Sequence, residues 1–322
     1  MERLLYQLLK IPARLAFRIY VRNLRLKNPD ALNMKGPLLI AANHPNSFLD
    51  AIIIATLFRK PVYSLARGDA FSNRLTSTLL RALNILPVYR MREGADDLSQ
   101  NYSTFEACRE IFRKNGIVLI FSEGLCINEW KLRPLMKGTA RLAISSWEEG
   151  IPLTILPAAI NYHSFTRFGK HVHLHFGKAF TQSDLEDTNG YGKTILSFNR
   201  KLDNELRQLV IEIDDSDHAS IRRVFASEKP GWQTSWLTIP AVIGWLLHAP
   251  LYYPLKKIVY RKAIHSGHYD SIMVGALFLL YPIYLASITL ITYAFCGTAL
   301  AAGVLMCMPL LAYAYVQWKE RY

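Results

Sequence analysis

The chain has 322 residues, enough for one large or two modest domains with a sizeable core, and carries a formal net charge of +13. Hydrophobic residues make up 51% and the mean hydropathy is +0.11, but the long charge-poor stretches all follow Trp236, so a soluble-type domain is expected to precede membrane segments. Cys108, Cys126, Cys296 and Cys307 show no metal-ligand spacing and two lie in the apolar tail, which excludes a disulfide scaffold or a structural zinc site.

Residues 1–25 place Leu4, Leu5, Leu8, Leu9, Ile11, Leu15, Phe17 and Ile19 beside Lys10, Arg14, Arg18 and Arg22, which recur every fourth residue. That pattern predicts an amphipathic helix with a basic stripe. The interrupted apolar run excludes a signal peptide. Residues 1–30 are therefore read as a helix lying in the membrane plane, with packing against the protein's own core as the competing reading.

Leu38-Leu39-Ile40-Ala41-Ala42 follows Gly36-Pro37 and reads as a buried strand; Pro45-Asn46-Ser47 reads as a turn and Phe48 onward as a helix. His44 then stands at a strand's end, where a group with a pKa of about 6.5 can accept a proton from a hydroxyl if something fixes its tautomer. Asp50 is the candidate, because a turn between the two would bring them together. Ser47 and Asp50 also form a capping-box pattern, in which Asp50 serves only a helix N-terminus. Both readings stand at this point.

A second strand over 61–66, a helix over 71–83, and Ile85-Leu86-Pro87-Val88-Tyr89 ending at Arg90 follow. Residues 101–114 read as helix. Ile117-Val118-Leu119-Ile120-Phe121 is the clearest strand and ends in Ser122-Glu123-Gly124. His44, Arg90 and Glu123 thus each follow a buried run, and in a largely parallel sheet such ends converge where ligands collect. Arg133 and Lys137 lie in a basic segment leading into a helix ending near Trp147, and Lys137 could meet an anion there. Pro157, in Ile155-Leu156-Pro157-Ala158-Ala159-Ile160, points to an edge or a strand end. His171, His173 and His175 alternate on one strand face without a carboxylate or cysteine nearby, which favours a polar sheet face over a metal site. Residues 181–213 read as mostly helical and 214–217 as a turn.

In this order the motifs resemble the glycerophospholipid acyltransferase family, the PlsC-like enzymes that acylate glycerol phosphates and lysophospholipids: Asn43-His44 with Asp50, a strand ending in Arg90, Phe121-Ser122-Glu123-Gly124, and a late strand with Pro157. The resemblance covers residues 36–180. It implies an α/β fold with a mixed, largely parallel sheet flanked by helices. It implies that His44 is the general base, that Asp50 orients it, that Asn43, Arg90, Glu123 and Gly124 hold the acceptor, and that Pro157 shapes the acyl site. Five residues separate His44 from Asp50 where four are usual, a spacing similar to fungal-type glycerol-3-phosphate acyltransferases. Leu125-Cys126-Ile127 stands where bacterial lysophosphatidate enzymes have Thr-Arg-Ser, so Arg133 and Lys137 are the expected substitutes in the phosphate grip.

The implied reaction transfers an acyl group from acyl-CoA or acyl carrier protein thioester to 1-acylglycerol 3-phosphate or a related lysophospholipid, without metal or cofactor. Glycerol 3-phosphate or a bacterial aminolipid is the alternative acceptor, and a lipid-binding scaffold the alternative that is not an enzyme. Nucleic acid is not an expected partner, since no aromatic stacking strand or recognition helix stands out.

The acyltransferase domain is placed at 31–230 and a membrane region at 231–322. Segments 271–293 and 298–316 are each long enough to cross a hydrocarbon core of about 30 Å. Lys256, Lys257, Arg261 and Lys262 precede them, Lys319 and Arg321 follow, and the connection carries no charge. The positive-inside rule then predicts a transmembrane hairpin in the inner membrane with the active site facing the cytoplasm. Segment 236–253, interrupted by Pro240, His248 and Pro250, reads as interfacial or re-entrant.

Overall fold

The computed structural model describes residues 2–88, 96–186, 190–226 and 235–319. In chain order the elements are α1 (Glu2–Tyr20), β1 (Val21–Lys27), β2 (Leu38–Ala42), α2 (Phe48–Leu57), β3 (Val62–Arg67), α3 (Arg74–Ala82), β4 (Ile85–Val88), α4 (Asp96–Arg113), β5 (Ile117–Phe121), α5 (Lys137–Glu148), β6 (Thr154–Tyr162), β7 (Lys170–Phe176), α6 (Tyr191–Arg207), α7 (His218–Val224), α8 (Thr238–Ala263), α9 (Tyr269–Cys296) and α10 (Thr298–Trp318). The strands form one sheet in the order β1-β7-β6-β2-β5-β3-β4. Every neighbouring pair is parallel except β6 with β7. This is the mixed, largely parallel α/β fold that the motifs imply.

The central strands are apolar on both faces because both faces are covered. Leu38, Ile40 and Ala42 of β2 join a core with α1 and α2. Leu39 and Ala41, pointing the other way, join one with α4, α5 and α6. The register of β2 on β5 pairs Ala42 with Phe121, so His44 and Glu123 leave the same edge of the sheet side by side.

Several expectations are corrected. The helix at the N-terminus ends at Tyr20, and Val21–Lys27 is an edge strand bonded to β7, so Arg22 leaves the helical stripe and the sheet begins ahead of residue 31. The alternation that puts Leu24 and Leu26 against the core marks this strand, and the four-residue basic spacing hides it. Helix α1 is also turned over from the simple reading. Lys10 Nζ donates to Phe58 O at 2.6 Å and Arg14 Nε to Thr56 O at 2.5 Å, meeting carbonyls at the C-terminal end of α2. Leu8, Ile11 and Leu15 face outward, 58%, 62% and 58% exposed. Part of the basic stripe is thus a core contact, and the outer face is apolar.

Pro157 lies inside β6, opposite Ala41 of β2, and not at an edge. Its carbonyl accepts from Gly177 N at 2.9 Å, one position past the last β7 pair, Ala158 with Phe176, so the donor it lacks falls in the irregular stretch between that pair and the Ile155–Phe180 bridge. In the 181–213 region the α-helix is confined to Tyr191–Arg207. Pro250 and Pro254 do not end the 236–253 segment, since α8 continues through both to Ala263 and takes in Lys256, Lys257, Arg261 and Lys262.

Helices α9 and α10 are long and apolar enough to cross a membrane and are joined at Gly297. Helix α8 packs on both. Gly244 is required there, because a Cβ would lie 2.3 Å from the Leu311 carbonyl oxygen of α10. Three points of α8 lie at the end of the hairpin nearest the sheet. Thr238 accepts from Trp318 Nε1 at 3.1 Å, Tyr252 stacks edge-on to Phe168 with centroids 5.5 Å apart, and Tyr260 meets Tyr269 at 6.3 Å. Between these points the middle of α8 lies against the hairpin, where Tyr284 OH donates to Leu247 O at 2.7 Å and His248 stacks on Tyr281 at 5.6 Å, so the helix leaves the sheet end and returns to it.

Candidate active site

The turn after β2 brings His44 and Asp50 together. His44 Nδ1 lies 2.9 Å from Asp50 Oδ2. Asp50, in the first turn of α2, is fully buried and has two further donors: Asn46 N on Oδ2 at 2.8 Å and Tyr162 OH on Oδ1 at 2.7 Å. A carboxylate accepts only, so Nδ1 carries the proton and Nε2 presents its lone pair. Nε2 has no hydrogen-bond partner among the described residues, and the His44 side chain is 19% exposed. Phe121 stacks on the imidazole at 3.9 Å and 11°, fixing the ring plane.

The capping reading and the catalytic reading meet in the same residue. The Ser47 side chain caps nothing. The Asp50 carboxylate reaches back to the turn at Asn46 and holds His44 with the same oxygen. In the turn between His44 and Asp50, Ser47 takes φ 55 and ψ −138, a conformation costing about 1–3 kcal/mol for a residue with a Cβ. Its surroundings hold it there. Ser47 N donates to Cys126 Sγ at 2.9 Å, and Ser47 Oγ pairs with His268 Nδ1 at 2.7 Å. Burial and then the nearby Asp50 push the Cys126 thiol up to about 12, so it remains a neutral packing group.

Glu123 is almost wholly buried and spends both oxygens on backbone N–H groups, Oε2 on His44 at 2.8 Å and Oε1 on Arg133 at 2.9 Å. Burial raises its pKa, and those two bonds oppose the rise. Glu123 therefore clamps the histidine's backbone and the following loop. Asn43 does a similar job on the other side, donating to Ile160 O at 3.1 Å and accepting from Ile160 N at 2.8 Å. Gly124 takes φ 66, and a Cβ there would lie 2.9 Å from Met136 Cγ. Lys137 begins α5 and is exposed; the preceding Met136 N donates to Ser122 O at 2.8 Å, which sets that helix end beside the strand end. The Arg133 side chain pairs with Glu129 at 2.7 Å. Pro157 is a buried member of the β6 ladder. Arg90 lies outside the described residues; its strand, β4, is the outer edge of the sheet, two strands from β5.

The sequence reading missed Asn46, Tyr162, Cys126, His268 and Arg67. Arg67, at the end of β3, obeys the same rule of a polar residue past a buried run. It pairs with Asp69, and its charge with that of His44 acts on His268, whose pKa is lowered first by burial. Tyr162 closes a strand that was read as ending at Ile160. The histidines of β7 form a packed face: Phe225 lies 4.7 Å from the His173 ring, and among the described residues no group of three or more His, Cys, Asp or Glu is placed to hold a metal.

The mixed α/β sheet thus carries a His–Asp pair at the carboxyl edge of its central strands, an arrangement that can accept a proton. Residues 23–161 match the family model described as Acyltransferase, a stretch running from β1 to β6 that contains His44, Asp50, Glu123 and Pro157. Among solved structures, the chain is similar to the 1-acyl-sn-glycerophosphate (LPA) acyltransferase PlsC from Thermotoga maritima, with 14% identity and a TM-score of 0.44 over 62% of this chain and 77% of that one. No curated protein matches it.

Proposed function

We propose that the protein is a membrane-bound acyltransferase that moves a fatty acyl group from an acyl-CoA or acyl carrier protein thioester to a hydroxyl of 1-acylglycerol 3-phosphate or a related lysophospholipid, in phospholipid biosynthesis. The observation that carries this reading is the 2.9 Å His44–Asp50 pair with Nε2 unpartnered among the described residues. Nε2 takes the proton of the acceptor hydroxyl as its oxygen attacks the thioester carbonyl, and Asp50 stabilises the imidazolium. The C–O bond forms, the C–S bond breaks, and the leaving thiolate receives the proton back from His44. Arg90, Arg133, Lys137 and the newly placed Arg67 are the cations assigned to the acceptor's phosphate. Asn43, Glu123 and Gly124 shape the cleft through the backbone, and Pro157 adjoins the acyl site.

The membrane assignment is supported by α9 and α10, by the outward Leu8, Ile11 and Leu15, and by α8, whose ends lie at the sheet end of the hairpin while its middle packs on α9, a course that suits a re-entrant helix. With the basic residues of α8 and Lys319 at the same end of the hairpin as the site, the site faces the cytoplasm.

The test offers labelled palmitoyl-CoA and palmitoyl carrier protein separately against lysophosphatidate, glycerol 3-phosphate and neutral lysolipids. The wild type is expected to acylate lysophosphatidate, and His44→Ala to lose about 10²- to 10⁴-fold in turnover. Wild-type turnover by folded His44→Ala would overturn the mechanism. Turnover confined to glycerol 3-phosphate or a neutral lysolipid would replace the acceptor.

A further inference from the structure

The start of α9 holds the only charged residue of that helix, Asp270. Its side chain is fully buried, although most of α9 beyond it is exposed. Two oxygens serve three donors from three other parts of the chain: Tyr20 OH from α1 at 2.6 Å, Asn46 Nδ2 from the turn after β2 at 2.7 Å, and Lys170 Nζ from β7. An apolar spanning helix has no need of a carboxylate. A buried carboxylate with a buried lysine persists when paired and fully hydrogen-bonded.

We propose that Asp270 is a positioning residue for acyl transfer, acting through Asn46 to set the turn that holds Asp50 on His44. Asn46 makes the link with both of its nitrogens. Its side-chain amide donates to Asp270, and its backbone N–H donates to Asp50 Oδ2, the oxygen that also takes His44 Nδ1. Its side-chain oxygen is buried without a partner among the described residues, so the side chain makes a single hydrogen bond, the one to Asp270. A second path reaches the other oxygen of Asp50. Lys170 Nζ lies 5.5 Å and 5.8 Å from the ring centroids of Tyr20 and Tyr162, and Tyr162 donates to Asp50 Oδ1. Two neighbours of Asp270 grip the same turn. Ser271 Oγ accepts from Leu49 N at 3.1 Å and donates to Asn46 O at 3.3 Å, and His268 pairs with Ser47. The hairpin is thereby part of the catalytic scaffold and not only an anchor.

This inference rests on the acyl-transfer reading, and the experiment separates the two. Full-length protein in bilayer discs is compared as wild type, His44→Ala, Asn46→Ala, Asp270→Asn and the exchange Asn46→Asp with Asp270→Asn, reading kcat, KM for donor and acceptor, and Tm. Asn46→Ala and Asp270→Asn are expected to lower kcat by about ten- to a hundredfold with each KM within about twofold of wild type, the scale of a misplaced catalytic group. The exchange keeps one carboxylate and one amide across the contact, and is expected to recover about tenfold over the worse single variant. A kcat for Asn46→Ala within about twofold of wild type overturns the inference. So does an exchange no better than the singles, or a fall in Tm with kcat unchanged. If Asp270→Asn does not fold, Asn46→Ala decides, since it removes no charge. Full turnover by His44→Ala would instead remove the acyl-transfer reading itself.

Discussion

Asp50 illustrates how much a single buried carboxylate can determine. It accepts from a backbone amide, a phenol and an imidazole, and a neutral amide of the same shape can serve only part of that set. Asp50→Asn is expected to fold yet lose about 10²- to 10⁴-fold in kcat, because the imidazole loses its orientation. Near-normal turnover by the folded variant would reduce Asp50 to a capping role. Tyr162→Phe removes one donor to this carboxylate while leaving the ring in the core. A loss of about 1.5–3 kcal/mol in denaturant unfolding is expected, the range for a hydrogen bond to a charged group; unchanged stability would show that the phenol is not holding Asp50.

Strand β7 carries a charge-sensitive face at the scale of the element. Burial first, then the charges of His175, Arg25 and His171, lowers the His173 pKa to about 4, and burial also lowers that of His175. The folded state thus binds fewer protons than the unfolded chain between about pH 4 and 6.5, and stability falls as pH drops through that window. A shift of this size corresponds to about 3 kcal/mol. His173→Phe, packed on Phe225, is expected to flatten the Tm–pH curve from about pH 6.5 to 4; an unaltered slope would assign the acid sensitivity elsewhere. The contact between α8 and α10 makes a different demand. Gly244→Val drives a side chain into the Leu311 carbonyl, with an expected cost of about 1–3 kcal/mol read as a lower Tm. A wild-type Tm would mean that the two helices separate freely.

For the whole molecule, a hairpin that crosses the membrane as proposed would decide which groups can be reached from each side. Cys296 ends α9 beside Gly297 and is exposed, whereas Cys108 is buried and Cys126 lies in the clamp on the catalytic turn. With the acyltransferase domain on one side and the hairpin turn on the other, an impermeant maleimide added to the side opposite the domain is expected to label Cys296, with Cys296→Ser as the control. Labelling only from the domain side would show that the helices do not cross.

The sequence by itself determined the α/β sheet and the polar groups past its central strands, because buried strands and turns leave local patterns, and it offered the pairing of His44 with Asp50 as one of two readings. It also marked both helices of the hairpin, since length and lack of charge are composition. Tertiary structure alone decided the rest. Lys10 and Arg14 of α1 meet the end of α2, Pro157 sits inside β6 where the regular pairing with β7 has stopped, and Glu123 is spent on backbone amides, all of which depend on neighbours that no periodicity specifies. Asn46 and Asp270 are 224 residues apart, and in sequence the one is a turn residue and the other a charge at the margin of an apolar run. Only the folded chain brings them together, where each supplies the hydrogen bond that burial requires of the other.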